Sequence, residues 1–189
     1  MGVHTHQIDL LLLSHGHPDH IGGCTNADGR LLYPNARFMM AQREWDFWTA
    51  EENLSELGDI FGRFARKNLP PLRERLEFVD DEMEILPGIT IVMAPGHTPG
   101  HLGLKITSED NTFYYLADAF LHPLQIEHPG GTAVVDLDPE QVVATRHRLL
   151  EKLAQEEAPA LFYHFDFPAV GTVIKDQSTY HWQPLTNTA

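Results

Sequence analysis

Short apolar runs separated by turn residues recur along the chain, and they predict the buried strands of an α/β protein. Four of these runs are followed directly by a segment that carries a histidine or an aspartate, namely residues 11–13, 89–94, 112–117 and 160–163. Because the apolar pattern stops there, each polar residue is expected on the loop at the carboxyl end of its strand. Loops on a rigid scaffold commonly carry active sites.

The segments between these strands predict helices and two further short strands. Residues 37–41 and 76–79 are interpreted as strands, and residues 42 to about 67 as mainly helical. Breaks are expected near Gly58 and Gly62, and Pro70 ends the helical stretch.

A second long helix is predicted in the carboxyl-terminal half. Asp138 is a favourable N-cap, Pro139 suits the first helical position and Gln141 completes a capping box. We expect this helix to reach about residue 157. Its inward-facing residues are predicted to be Val142, Leu149, Leu150 and Leu153. Arg146 and His147 are interpreted as surface or salt-bridged residues.

Length and composition are typical of one soluble domain, because the chain has 189 residues, of which 42% are hydrophobic. The net charge of −14 argues against a nucleic-acid partner, since phosphate backbones require clustered Lys and Arg. No apolar run approaches the ~20 residues of a membrane span. The single Cys24 excludes an internal disulfide, and the absence of a basic leader predicts a cytoplasmic protein, unless an export signal has been lost with the amino terminus.

The segment after the first strand concentrates metal-ligand side chains. His15, His17, Asp19 and His20 fall within six positions. Imidazole nitrogen and carboxylate oxygen are ligands for zinc, iron and manganese. The pair Asp19 and His20 is expected to point in a different direction from the pair His15 and His17, which suggests two neighbouring metals ~3.5–4 Å apart. The alternative, a polar loop whose histidines face water, is disfavoured because three histidines alternate with an acid behind a buried strand.

The other strand ends add His97, Asp118 and His164. In this order, the seven residues resemble the metallo-β-lactamase superfamily of metal-dependent hydrolases. The resemblance implies a metallo-β-lactamase-like αββα sandwich. It also implies one metal on His15, His17 and His97 and a second on Asp19, His20 and His164. Asp118 would bridge them.

Weaker motifs resemble the methyl parathion hydrolase-like branch of that superfamily. They are Ile21-Gly22-Gly23, residues 44–48, 122–125 and 136–139, Thr145-Arg146, and His164-Phe165 followed by Phe167-Pro168. Two departures stand out. Members of the branch carry strands ahead of the first histidine motif, so residues 1–189 are interpreted as a single, N-terminally shortened domain. Asp166, Ala169 and Val170 also depart from the usual ending of the last motif.

The ligand set indicates hydrolysis. Two divalent metals lower the pKa of a shared water from ~15.7 towards ~7, so a metal-bridging hydroxide is the expected nucleophile. Asp19 is predicted to orient this nucleophile or move its proton, and Asp118 to act as the catalytic bridge. Zinc is the expected metal, with iron, manganese and cobalt as alternatives. A lactone, a carboxylic ester or an organophosphate triester is the expected small-molecule substrate.

Residues around the ligands complete the prediction. Ser14, Thr98 and His101 are candidates to hydrogen-bond the ligands and fix their orientation, although each could instead be a local cap or polar contact. The candidates for substrate binding are Trp45, Trp48, Phe120, Leu121 and His122. Aromatic residues at such spacing are more often core than pocket.

Two other functions stay open at this stage. One is a glyoxalase II-like thioester hydrolase, which would use the same metal ligands. The other is a non-catalytic remnant of the fold that binds metal or a partner. Because a shortened domain exposes sheet surface and a strand edge, a homodimer is also predicted.

Overall fold

The amino-terminal part of the protein is built on a three-stranded parallel sheet. The computed structural model describes residues 2–185, which fall into two compact units that meet in the sequence between Val79 and Asp80. The first unit contains β1 (Leu10–Leu12), β2 (Arg37–Ala41) and β3 (Leu76–Val79), in the order β1-β2-β3. Parallel neighbours require crossover connections, and helical segments supply them here. Helix α1 (Pro18–Ile21) lies between β1 and β2, and helices α2 (Gln42–Thr49), α3 (Glu51–Glu56) and α4 (Asp59–Asn68) and a 3₁₀ turn at Pro70–Arg75 lie between β2 and β3. A further 3₁₀ turn at Thr5–Gln7 precedes β1.

The helical stretch after β2 breaks at positions that differ in part from the prediction. Gly58 ends α3 as expected, because its φ of 83° lies in the left-handed region that glycine adopts without a steric penalty. Gly62, however, lies inside α4, so the predicted second break is wrong. An unpredicted break occurs at Ala50, whose backbone is extended. There the Asn53 side chain donates to the carbonyl of Phe47, which satisfies part of the exposed helix end.

The second unit is built on a seven-stranded mixed sheet. Its strands are β4 (Glu84–Leu86), β5 (Ile89–Met93), β6 (Leu102–Ser108), β7 (Asn111–Tyr115), β8 (Ala160–Leu161), β9 (Val170–Asp176) and β10 (Thr179–Pro184). The spatial order is β10-β9-β8-β7-β6-β5-β4, and the only parallel pair among these described strands is β7 with β8. A short helix α5 (Leu124–Glu127) and the long helix α6 (Pro139–Glu156) lie between β7 and β8 in sequence and form their crossover.

Helix α6 lies where the sequence predicts it and packs its predicted inward face on the core of the second unit. Asp138 accepts a hydrogen bond from the Gln141 amide at 2.9 Å, which confirms the N-cap. The predicted capping box is wrong, because the Gln141 side chain donates to Thr145 and the Asp138 amide donates to the Gly96 carbonyl. Val142, Leu149, Leu150 and Leu153 are all buried, and the three leucines join a core with Tyr114, Phe120 and Phe162. None of the helices within residues 2–185 combines the length and the apolarity needed to cross a bilayer.

Candidate metal centre

Three imidazoles converge on the loop that follows β1. His15 and His17 are buried, and the ring centroid of His15 lies 4.7 Å from that of His17 and 4.1 Å from that of His20. The turn into α1 places them there, because Pro18 occupies the first helical position and sends His20 back toward His15. The Ser14 hydroxyl lies 3.1 Å from His15 Nδ1 and 3.4 Å from His20 Nδ1. Ser14 therefore lies within hydrogen-bond distance of two of the predicted metal ligands.

Asp19, the acidic residue of the motif, faces solvent. Asp19 Oδ2 lies 3.4 Å from His20 Nε2, yet the Asp19 side chain is 47% exposed whereas that of His20 is 6% exposed. An exposed carboxylate beside buried imidazoles has access to water on one side and to the cluster on the other. That position suits both a metal ligand and a group that moves protons.

Glu44, a buried acid on α2, holds the backbone of this loop. Sequence reasoning did not predict this role. Glu44 Oε1 accepts hydrogen bonds from the Gly16 amide at 2.8 Å and from Trp48 Nε1 at 2.5 Å. Glu44 and Trp48 are both fully buried. A Cβ on Gly16 would lie 2.3 Å from Trp48 Cδ1, so only glycine allows the backbone this close to the indole. The four-residue spacing of Glu44 and Trp48 on one helix face was the available signal.

In the second unit, one carboxylate oxygen lies between two imidazoles. Asp118 Oδ2 is 3.0 Å from His164 Nε2 and 3.5 Å from His97 Nε2. His97, Asp118 and His164 follow β5, β7 and β8 respectively, which confirms that separate strands each deliver one of these residues at the carboxyl end. Asp118 and His97 are buried, while the His164 side chain is 39% exposed. One oxygen of Asp118, the residue predicted to bridge two metals, is thus within 3.5 Å of both imidazole nitrogens.

His101 holds the backbone of Asp118. Its Nδ1 lies 3.0 Å from the Ala94 carbonyl, and its Nε2 accepts the Asp118 amide N–H at 3.1 Å. Because a carbonyl only accepts and an amide only donates, the ring is neutral with its proton on Nδ1. His101 is fully buried and joins the end of β5 to the loop after β7. Thr98 is also buried, and its carbonyl accepts from the Gly96 amide within the same loop.

Asp136 fixes the outer nitrogen of His97. Asp136 Oδ1 accepts from His97 Nδ1 at 2.8 Å, and its Oδ2 accepts from the Ala133 amide at 2.7 Å and from Arg146 at 3.3 Å. Burial opposes protonation of His97, but the bonds and charges of Asp118 and Asp136 outweigh it and raise the His97 pKa. Burial disfavours the charged form of Asp136, but its bond with His97 and its other contacts prevail and lower the Asp136 pKa. Of the two predicted environments for Arg146, the surface is wrong, since the side chain is buried and paired with Asp136.

The residues suggested for substrate contact divide by burial. Trp48 and Phe120 are fully buried, so neither presents a surface to a substrate in this structure, and Phe120 packs against Phe162 in the core. Trp45 is half-buried against Phe78 and Arg73, whereas Leu121 is half-buried and His122 is exposed. The sequence does not show which of these residues lie in the core and which border a pocket, because aromatic residues fill cores and pockets alike.

Comparison with known proteins shows lactone-hydrolysing relatives. The chain is 28% identical over 162 residues to an N-acyl homoserine lactonase of Bacillus thuringiensis, an alignment that covers 84% of this chain and 56% of the relative. An N-acyl homoserine lactonase of a Bacillus species is 26% identical over 167 residues, covering 88% of this chain and 59% of the relative. The chain thus spans a little over half the length of these relatives.

Solved structures agree in fold over the whole chain. AidC, a dizinc quorum-quenching lactonase in complex with a product, has a TM-score of 0.91 and 28% identity, and it covers all of this chain and 68% of its own. The hydrolase AbOPH has a TM-score of 0.86 at 24% identity with the same coverage, which supports the fold alone. The predicted α/β metallo-β-lactamase fold is confirmed. Since the model of the metallo-beta-lactamase superfamily matches residues 2–164, the chain belongs to that superfamily.

Proposed function

We propose that the two histidine and aspartate clusters form one dinuclear metal centre. His15, His17 and His97 would hold one ion, Asp19, His20 and His164 the other, and Asp118 both. The observation that carries this proposal is Asp118 Oδ2, which lies within 3.5 Å of His97 Nε2 and 3.0 Å of His164 Nε2. Similarity to a dizinc lactonase over the full chain supports it.

The donor set fits zinc. All seven residues offer imidazole nitrogen or carboxylate oxygen, and five of the seven are histidines. Zinc accepts this mixture, whereas calcium and magnesium require sites made almost wholly of oxygen. When bound, two divalent cations supply Lewis acidity and lower the pKa of water toward neutrality.

The proposed reaction is hydrolysis of the lactone ring of an N-acyl homoserine lactone. The oxygen of water adds to the ring carbonyl carbon, the bond from that carbon to the ring oxygen breaks, and the ring oxygen takes up a proton. The products are a carboxylate and a hydroxyl on the same molecule, and one proton is released overall. Asp19 is suited to accept the proton of the attacking water and return it to the leaving oxygen, because its carboxylate reaches both solvent and His20.

Exposed apolar side chains lie close in sequence to Asp136 and His164, and they suit the binding of an acyl chain. Val134 and Val135 precede Asp136, and Tyr163 precedes His164, and all three are exposed. Phe167 is 94% exposed on the same loop as His164. Large exposed apolar side chains next to polar site residues are typical of a binding cleft for a partly apolar ligand.

The experiment pairs metal analysis with a substrate panel. Protein purified without added metal is assayed for zinc content, and then for turnover of an N-acyl homoserine lactone, a glutathione thioester and an organophosphate triester. We expect about two zinc ions per chain and the fastest turnover on the lactone. Preference for the thioester would instead support a glyoxalase II-like enzyme, and preference for the triester would support the methyl parathion hydrolase-like branch.

Variants then test the centre itself. Asp118→Ala should abolish lactone hydrolysis and reduce zinc content, whereas Asp110→Asn, an exposed change in the turn between β6 and β7, should leave both unchanged. Two bound zinc ions without turnover of any substrate would indicate a non-catalytic metal-binding remnant. A wild-type chain that binds no metal would refute the dinuclear centre.

A further inference from the structure

We propose that Asp136 and Arg146 form a positioning pair that holds His97 and the Asp118 loop in the geometry required for metal binding. This inference rests on the proposed dinuclear centre, since it concerns how His97 is presented to an ion. Neither residue would touch the metal or the substrate. Their role is to orient the groups that do.

The hydrogen bond between Asp136 and His97 sets the orientation of the His97 ring. Its Nδ1–H donates to Asp136 Oδ1 at 2.8 Å, and this bond leaves Nε2 directed toward Asp118, 3.5 Å from Oδ2. An imidazole that ligates a metal through one nitrogen is commonly fixed by a carboxylate on the other, which also raises its basicity as a ligand. Without Asp136, the buried His97 ring loses the acceptor that selects this tautomer and rotation.

The second contact holds Asp136 itself. Its Oδ2 accepts from the Ala133 amide at 2.7 Å and from Arg146 at 3.3 Å, so both carboxylate oxygens are engaged. The side chains of Asp136 and Arg146 are both 0% exposed. A buried guanidinium and a buried carboxylate each require a partner of opposite charge, so the pair is fixed to one geometry.

Arg146 extends the same support to the backbone beside Asp118. Its Nε donates to the Ala119 carbonyl at 2.8 Å, and a terminal nitrogen donates to the Gly131 carbonyl at 2.7 Å. Ala119 directly follows Asp118, and Gly131 belongs to the segment that leads to Asp136. One guanidinium therefore connects the Asp118 loop and the segment before Asp136 to α6, whose apolar face is anchored in the core.

A purely structural role is the competing explanation, because any buried ion pair affects folding when one member is removed. The two explanations predict different effects on zinc binding by the folded variants. A structural pair would change zinc affinity only as far as it changes stability. A positioning pair would change zinc affinity, and the environment of the bound metal, in protein that is still folded.

The test is zinc titration of metal-free protein against a competing chelator, together with the visible spectrum of the cobalt-substituted protein. Asp136→Ala should weaken binding of one of the two ions by about 10–100-fold and alter the cobalt bands. Asp136→Asn keeps an acceptor oxygen for His97 but loses the charge, so a loss near the lower end, about tenfold, is expected. Arg146→Lys should fall between wild type and Asp136→Ala.

Leu149→Ala is the matched control, because Leu149 lies on α6 in the core and its apolar side chain takes no part in the hydrogen bonds of the pair. It should lower the midpoint of thermal unfolding while leaving zinc affinity and the cobalt spectrum unchanged. The inference is overturned if folded Asp136 variants bind zinc like wild type, or if Leu149→Ala weakens binding equally. If Asp136→Ala fails to fold, the zinc affinity and the cobalt spectrum of Asp136→Asn decide between the two explanations. Failure of the wild type to bind two ions would count against the proposed centre instead.

Discussion

Gly16→Ala should disturb the first histidine cluster although it removes no side-chain contact. The new Cβ would lie 2.3, 2.4 and 2.5 Å from Cδ1, Cγ and Nε1 of Trp48, against an ordinary contact of about 3.5–4.0 Å. To remove this clash, the backbone at position 16 and the Trp48 ring must move apart by roughly 1 Å. Trp48 has no room to yield, because it is fully buried and bonded to Glu44. The loop must therefore move, and His15 and His17 move with it.

The magnitude follows from two terms. Overpacking of a well-packed site costs about 1–3 kcal/mol, and the Gly16 amide would also lose its 2.8 Å bond to Glu44, worth about 1.5–3 kcal/mol for a charged acceptor. These terms overlap, so we expect a loss of about 2–4 kcal/mol in the free energy of unfolding. If His15 and His17 hold a metal as proposed, their displacement by about 1 Å should reduce turnover by roughly 10²-fold.

Urea unfolding of the metal-free protein measures the loss of stability, and a lactone hydrolysis assay with a zinc titration measures the effect on the histidines. Gly23→Ala is the matched control, because a Cβ there meets nothing within 4 Å. It should change stability by no more than about 1 kcal/mol in the favourable direction. In a Trp48→Leu background, Gly16→Ala should cost much less, since the clashing ring is gone. If Gly16→Ala alone unfolds and binds zinc like wild type, the argument from the indole contact is wrong.

Three further predictions concern other parts of the chain. Burial raises the pKa of Cys24 to about 11, so its thiol should react with a disulfide reagent at pH 8 only as fast as the protein unfolds; rapid labelling of native protein would contradict this. Hydrogen bonding from Lys175 is the main cause that lowers the Glu151 pKa from 4.5 to about 2. This pair therefore contributes stability above pH 4.5 that is lost as pH falls toward 2, and Glu151→Gln should flatten that part of the stability curve. Dimerisation stays a prediction from the sequence, and a single monomeric boundary in sedimentation at micromolar concentration would count against it.

Much of the fold, and the candidates for metal binding, could be predicted because the signals are local. The apolar run of β1 and the turn-forming Gly16 and Pro18 lie within a few residues of the histidines they position, so strand, turn and ligands are decided together. Asp138 likewise begins α6 through a bond to an amide three residues away. Such features depend on backbone geometry that neighbouring residues determine.

The tertiary structure alone decided which polar residues support the site. Glu44 meets Gly16 across 28 positions, and Asp136 meets His97 across 39. Neither acid differs by residue type from those on the surface, and Arg146 likewise matches the exposed arginines of the chain. The same holds for the break at Ala50, since alanine favours a helix and only packing and the Asn53 contact end it there. The sequence determines which side chains can bind a metal. Folding determines which buried charges orient them, because a charge is stable in the interior only where distant segments supply its partners.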